Sequence, residues 1–371
     1  MSKRILIGGD VVPLPHNYEA FSTDAGVLLQ NGLAEYWCMA DARIFNLEVP
    51  LTDRQSPIQK CGPALSAPTA CAAGLAALKP TCVSLCNNHI MDQGVQGLVS
   101  TATALGTQGV ACFGAGKNAA EADGGHTFMV DHTRVTVYAL CEHEFSAATE
   151  TAAGANALDE LELADRIRTL KQTCDYLIVL YHGGREQFSY PSPRLQKRCR
   201  KMTACGADFV VCQHSHCIGC SEIYGGGTIV YGQGNFLFAA DDGGPCFATG
   251  LLIEVTLDDG KASVDYLPLV RKDYGVALAA GEAAARILGE FSARSAELIN
   301  NGFVLSHYRQ YAKESREKML KVFLSGNVLL KAVNVLYGRK PTRVYRRQTL
   351  LAIQNTIACE SLNELMTEGL E

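Results

Sequence analysis

The sequence contains no apolar run approaching the roughly 18 residues that a membrane-spanning helix needs. Its opening stretch, MSKRILIGGD, has two basic residues but no apolar segment before Asp10, so no signal peptide is expected there. It has no excess of positive charge: 33 Lys and Arg face 38 Asp and Glu, a formal net charge of −5, which argues against general nucleic-acid binding by the whole chain. Its cysteines form no visible disulfide framework. They number 15, an odd count, and Cys82, Cys112, Cys141 and Cys212 lie in apolar segments that read as core. A reducing, cytoplasmic compartment is therefore expected, with contact at a membrane limited to a peripheral one. The lone CxxC, Cys217 to Cys220, has no second CxxC with which to build a structural zinc site, and chance explains it in so cysteine-rich a chain. No internal repeat or low-complexity tract is present.

What is present is ordinary globular material. Hydrophobic residues make up 47% and charged residues 19% of 371 residues, enough for one large domain with an extension, or for two domains. The first three quarters alternate short β-rich runs with amphipathic patterns. Strands are predicted at 5–9, 42–48, 80–86, 110–115, 134–140, 175–182, 208–212 and 228–236; helices at 69–78, 94–108, 164–173 and 192–205. This alternation predicts an α/β architecture. Residues 249–270 differ, reading as two antiparallel strands around an Asp-Asp-Gly turn. Beyond about residue 275 the pattern is helical, with breaks near Asn300-Asn301-Gly302 and Gly338, giving domains at 1–275 and 276–371. Within the second, residues 309–347 carry eleven Lys and Arg against Glu314 and Glu317. Such a stretch suits an anionic polymer, an anionic membrane face or an acidic partner, or is a solvated helix face.

The predicted strands end on chemically informative residues. ILIGG runs into Asp10, ARIFNL into Glu48, PTCVSLC into Asn87-Asn88-His89, and DYLIVLY into His182, followed by Gly183-Gly184-Arg185-Glu186. DFVVC leads to His214 and His216. An isolated HxH is more often a hydrogen-bonded loop feature than a ligand pair. Here five strand ends deliver carboxylate, amide and imidazole groups to the edge where open α/β sheets place their sites. Those are the donor types of a two-metal hydrolytic site. The closely spaced glycines of YGQGNF (231–236) allow either close backbone approach to a ligand near Asn235 or a bulge. CEHEF (141–145) also follows a strand, which puts Glu142, His143 and Glu144 within reach of the same pocket, with no role assigned to them.

With these residues in place, the chain resembles the CapA family, the poly-γ-glutamate capsule biosynthesis proteins of the calcineurin-like metallophosphoesterase superfamily. The resemblance rests on GGD (8–10), NLEVPLT (46–52), SLCNNHIMDQGVQGL (84–98), GAGKNAAEA (114–122), LYHGGREQ (180–187), the run at 204–219 and IVYGQGNFLF (229–238), in family order over residues 3 to 270. It implies a four-layer αββα sandwich, two facing sheets with helices outside, followed by a C-terminal helical extension. It also implies two divalent transition-metal ions (manganese, zinc or iron) sharing Glu48. Asp10 and His216 complete one site; Asn88, His182 and His214 complete the other. His89 stands where a general acid would protonate a leaving group, aided by Asn87 or Asp92, while Glu186 and Asn235 are placed as supporting or substrate contacts. Two departures matter. The superfamily's Asp-x-His has Val12 at its third position here, and the bridging carboxylate is glutamate, so the first site is one ligand short.

The expected function is that of a metal-dependent hydrolase acting on a phosphoester or an amide in poly-γ-glutamate or capsular polysaccharide biosynthesis. The alternative is a non-catalytic accessory protein that binds an anionic polymer or a capsule-synthesis partner through residues 309–347. Fold-level likeness alone does not choose between them.

Overall fold

The computed structural model describes residues 2–238, 244–324 and 328–368. The chain divides into two compact units, Met1–Val304 and Leu305–Glu371. The boundary expected near residue 275 falls at the start of a strand, Gly275–Leu278, which pairs with Lys261–Lys272. The following helix, Gly281–Glu297, also belongs to the first unit. It buries Ile287 and Phe291, sets Phe291 against Tyr266 at 4.7 Å between ring centroids, and caps Gly219 through Arg294.

Two sheets organise the first unit. Among the described residues, one has nine strands and the other six. The nine-stranded sheet is centred on Lys3–Val11, which runs parallel to Ala42–Leu47 and antiparallel to Thr249–Asp258; Ala42–Leu47 in turn runs parallel to Cys82–Ser84. The six-stranded sheet has a parallel centre of Thr133–Cys141, Tyr176–His182, Phe209–Gln213 and Gly227–Val230, with antiparallel strands at both edges. The Asp-Asp-Gly hairpin forms as expected: Asp258 pairs with Lys261, leaving Asp259 and Gly260 as the two-residue turn, both at positive φ.

Side-chain alternation builds the layers. Along Tyr176–His182, Ile178 and Leu180 enter a core shared with Ile5, Ile7 and Ile44 of the other sheet. Leu177, Val179 and Tyr181 point the other way, into a cluster with Ile167 of helix Leu163–Lys171 and with Leu195, Cys199 and Met202 of helix Pro193–Ala204. Both faces are therefore buried, which is why these strands read as continuous apolar runs. On the far side of the nine-stranded sheet, helices Leu33–Cys38, Ala72–Ala77 and Gly94–Thr107 bury Trp37, Leu75, Leu98 and Leu105. The result is the αββα sandwich, with the C-terminal helices of the second unit following it.

One predicted strand, 228–236, is in fact two. Gly227–Val230 belongs to the six-stranded sheet, and Asn235–Leu237 lies parallel to Lys3–Val11 in the other. The chain crosses between sheets at Tyr231-Gly232-Gln233-Gly234, with Gly232 at φ 144° and Gly234 at φ 71°, conformations that L side chains resist. Buried Gln233 holds the crossing together by donating to the carbonyls of Ile7 (2.5 Å) and Leu251 (3.0 Å). Gly9 lets this segment approach, since a Cβ there would sit 2.3 Å from the Gly234 carbonyl oxygen.

The second unit is helical: Phe303–Leu320 leads into it, followed by Val328–Leu336, Pro341–Val344, Arg347–Ala358 and Glu360–Glu368. Residues 325–327, inside the basic stretch 309–347, lie outside the described residues.

Candidate metal centre

The facing sheets bring their C-terminal strand edges together, and register decides what meets there. Asp10 pairs with Asn46 across parallel strands, which leaves Glu48 one residue past its own strand. His182, the last residue of its strand, pairs with Gln213, so His214 emerges directly after the neighbouring strand. The chain then turns twice. His214 and His216 both adopt left-handed backbone, φ 79° and 53°, which for a non-glycine residue costs on the order of 1 kcal/mol or more. The His214 N–H donates to Asp10 Oδ2 at 3.0 Å, and the Gln187 N–H donates to the Ser215 carbonyl at 2.7 Å, holding that conformation.

Glu48 sits at the middle of the cluster, fully buried. His182 Nε2 lies 3.1 Å and His216 Nε2 4.0 Å from its Oε1. Neither carboxylate oxygen accepts a hydrogen bond. The near imidazole has a closer partner, since His182 Nε2 lies 3.0 Å from Asn88 Oδ1. Burial, reinforced by the neighbouring Asp10 charge, pushes the Glu48 carboxyl up to about 8. Burial likewise holds His182 below its ordinary value and His214 well below it, in the second case with help from neighbouring histidines. His214 Nδ1 is also buried and unpartnered.

Buried polar atoms without partners are rare and costly. Here they cluster. Glu48, His182 and His214 present ligand atoms within 4.8 Å of one another, and so do Asp10, Glu48 and His216. Imidazoles around an unpaired carboxyl group form a donor set suited to divalent transition metals. Asn88 adds an amide oxygen beside His182, and its Nδ2 donates to Glu144 Oε2 at 3.3 Å. Asn235 Oδ1 faces His216 Nδ1 at 2.9 Å, and the rings of Phe238 and Phe247 lie 5.2 and 4.8 Å from His216. Val12 contributes no donor: its side chain is buried in the core and its N–H donates to the Leu237 carbonyl.

Next to the cluster lies a hydrogen-bonded chain. His89 Nδ1 is 2.6 Å from Asp92 Oδ2, and the His89 N–H donates to Asn87 Oδ1 at 3.1 Å. Asn87 is itself fully buried, donating to Asn46 Oδ1 and the Leu47 carbonyl, so it braces the strand ends. Glu186 is exposed on the loop after His182 and reaches the cluster through its charge, which adds to the rise at Glu48.

Three further residues complete the site: Asn46 and Lys60 were not singled out from sequence, and Glu144 was named there without a role. Asn46 donates to Asp10 Oδ1 at 2.8 Å and lies 3.3 Å from His182 Nδ1; its signal was a polar residue inside the apolar run ARIFNL. Glu144 touches both Asn88 and, at 3.9 Å, His214 Nε2. Its neighbours Glu142 and His143 instead line an adjoining cavity of about 740 Å³ together with Arg194 and Arg198. Lys60 is almost fully buried and donates to Asp92 Oδ1 at 2.5 Å from an irregular loop, where no periodicity pointed to it. The Cys217 and Cys220 thiols are buried and free, and burial pushes the first up to about 11.

A family model described as "Bacterial capsule synthesis protein PGA_cap" matches residues 4–240. The chain is 29% identical over 196 residues to the capsule biosynthesis protein CapA of Bacillus anthracis, covering 51% of this chain and 47% of that protein. It is 31% identical over 162 residues to the PGA biosynthesis protein CapA of Bacillus subtilis, covering 43% and 42%. It is 27% identical over 243 residues to a probable polyglutamine synthesis accessory protein of Mycobacterium tuberculosis, covering 60% and 61%. The chain thus spans less than half the length of the two Bacillus relatives it matches.

Proposed function

The chain belongs to the bacterial capsule synthesis protein family, and from that membership and its buried cluster we propose that it is a metal-dependent hydrolase, acting on a phosphoester or amide bond in the production of poly-γ-glutamate or a capsular polysaccharide. The observation that carries this reading is Glu48: a fully buried carboxylate with no hydrogen-bond partner, at the meeting point of two donor groups. Asn88, His182 and His214 would hold one divalent ion with Glu48, and Asp10 and His216 a second. When bound, such ions supply Lewis acidity, polarising the scissile group and acidifying water. Manganese, zinc or iron suits these donors.

The chain's own residues do the rest. His89, partly open to solvent, holds a proton for the leaving group on the ring nitrogen remote from Asp92. Asp92 fixes the ring through Nδ1, Lys60 keeps that carboxylate paired, and Asn87 fixes the backbone at His89. Asn46 orients Asp10, and Asn235 orients His216.

The test is turnover of a chromogenic phosphodiester and of a γ-glutamyl anilide by metal-stripped protein reloaded with each ion. Hydrolysis of one class that depends on the ion is expected. His89→Gln should lower kcat by about 10²- to 10⁴-fold at unchanged metal content. Failure on both substrates with every ion would move the accessory reading forward. That reading is favoured by the name of the mycobacterial relative and by the basic stretch 309–347, and it predicts salt-sensitive retention of polyglutamate by the full chain.

A further inference from the structure

Charge and exposed apolar surface are distributed unevenly along this chain. Residues 1–304 carry 22 Lys and Arg against 32 Asp and Glu, whereas residues 305–347 carry 11 against 2. The same stretch exposes large apolar side chains more densely along the chain than the first unit does. Phe323 is 50% exposed, Leu329 78%, Val335 59%, Leu336 84% and Tyr337 51%. Leu329 and Leu336, seven residues apart on helix Val328–Leu336, share a face. Exposed basic residues bracket them: Lys318 and Lys321 before, Lys331 within, Arg339 and Lys340 after. A concentration of exposed apolar residues on this scale marks an interaction surface.

We propose that the described residues on either side of 325–327, from Lys318 to Phe323 and from Leu329 to Lys340, dock the protein on an anionic phospholipid surface, with the apolar side chains inserted at the headgroup level and the basic ones on lipid phosphates. Other occupants satisfy only half of the surface. A polyanion in water would pair with the lysines and arginines but leave Phe323, Leu329 and Leu336 wet. A second copy would cover the apolar face at the cost of bringing two stretches of eleven basic and two acidic residues together. An anionic bilayer serves both, because long basic side chains extend to the phosphates while leucine and phenylalanine enter the acyl boundary. Crossing is excluded for this element: no helix among the described residues is long and apolar enough, and the nine residues of Val328–Leu336 span only about 14 Å. The docking does not depend on the hydrolytic reading, so either can fail alone.

The test is co-sedimentation of the full chain with vesicles. Vesicles with about 30% phosphatidylglycerol in phosphatidylcholine should bind it at least about tenfold more tightly than pure phosphatidylcholine, and salt should weaken the binding. Two variants divide the contributions: Leu329→Gln with Leu336→Gln, and Lys331→Gln with Arg339→Gln and Lys340→Gln. Each should weaken vesicle binding while the unfolding midpoint of the first unit is kept. The wild-type comparison needs no variant, so a misfolded variant leaves the test intact. Three results would overturn the proposal: equal or absent binding to both vesicle types, loss in the charge variant with none in the leucine variant (a polyanion site), or a salt-resistant dimer that the leucine variant disrupts (a second copy).

Discussion

Replacing Glu48 by glutamine should change how the stability of the metal-free protein depends on pH. The folded state holds the Glu48 proton up to about 8, against an ordinary 4.5. Between those values the folded protein keeps a proton that the unfolded chain has released. The group's contribution to stability is therefore fully present below about pH 4.5, falls as pH rises, and is exhausted above about 8. An interval of about 3.5 units at about 1.4 kcal/mol each sets a span on the order of 5 kcal/mol. Glutamine fills the same volume and does not titrate, so Glu48→Gln should remove that fall. In chelator, wild type and variant should unfold at similar temperatures near pH 5, while near pH 8 the variant should be the more stable by several kcal/mol, a difference of up to about 10 °C. Thermal unfolding at several pH values measures this. Parallel pH profiles for the two proteins would refute the reasoning, because they would mean that Glu48 is solvated or paired. The same proton must leave when a cation binds, so wild-type metal affinity should rise with pH up to about 8.

Other expectations follow from named contacts. Lys60→Met breaks a buried ion pair with Asp92 and should cost about 3–5 kcal/mol, with faster proteolysis within residues 53–66; an unchanged cleavage rate would show that the loop is held elsewhere. Gln233→Leu leaves the Ile7 and Leu251 carbonyls without their donor and should cost about 2–4 kcal/mol by urea denaturation. In the native protein, the exposed thiols of Cys38 and Cys61 should react first with an aromatic disulfide, and early labelling of Cys217 or Cys220 by mass spectrometry would contradict their burial.

Much of the site was legible because β-rich runs stopped on residues that have no packing reason to be there: Asp10, Glu48, Asn88, His182 and His214. What was not legible depends on tertiary placement. The split of 228–236 between two sheets is set by left-handed glycines and by the amide of Gln233, whereas the apolar run on either side reads as continuous. Which strand joins which sheet is equally silent in the sequence, since strands buried on both faces carry no amphipathic mark. Lys60 meets Asp92 across 32 residues through an irregular loop, and the strand Gly275–Leu278 is too short to interrupt a helical pattern. Left-handed backbone at both His214 and His216 likewise leaves no residue-type signature, because glycine, the usual occupant, is absent at either position.

The central claim is that Glu48 joins two metal sites, and elemental analysis of purified protein tests it most directly. Wild type should carry about two transition-metal ions per chain after loading, His216→Ala about one, and Glu48→Ala close to none. Full metal content in Glu48→Ala, or none in wild type under any loading condition, would contradict it.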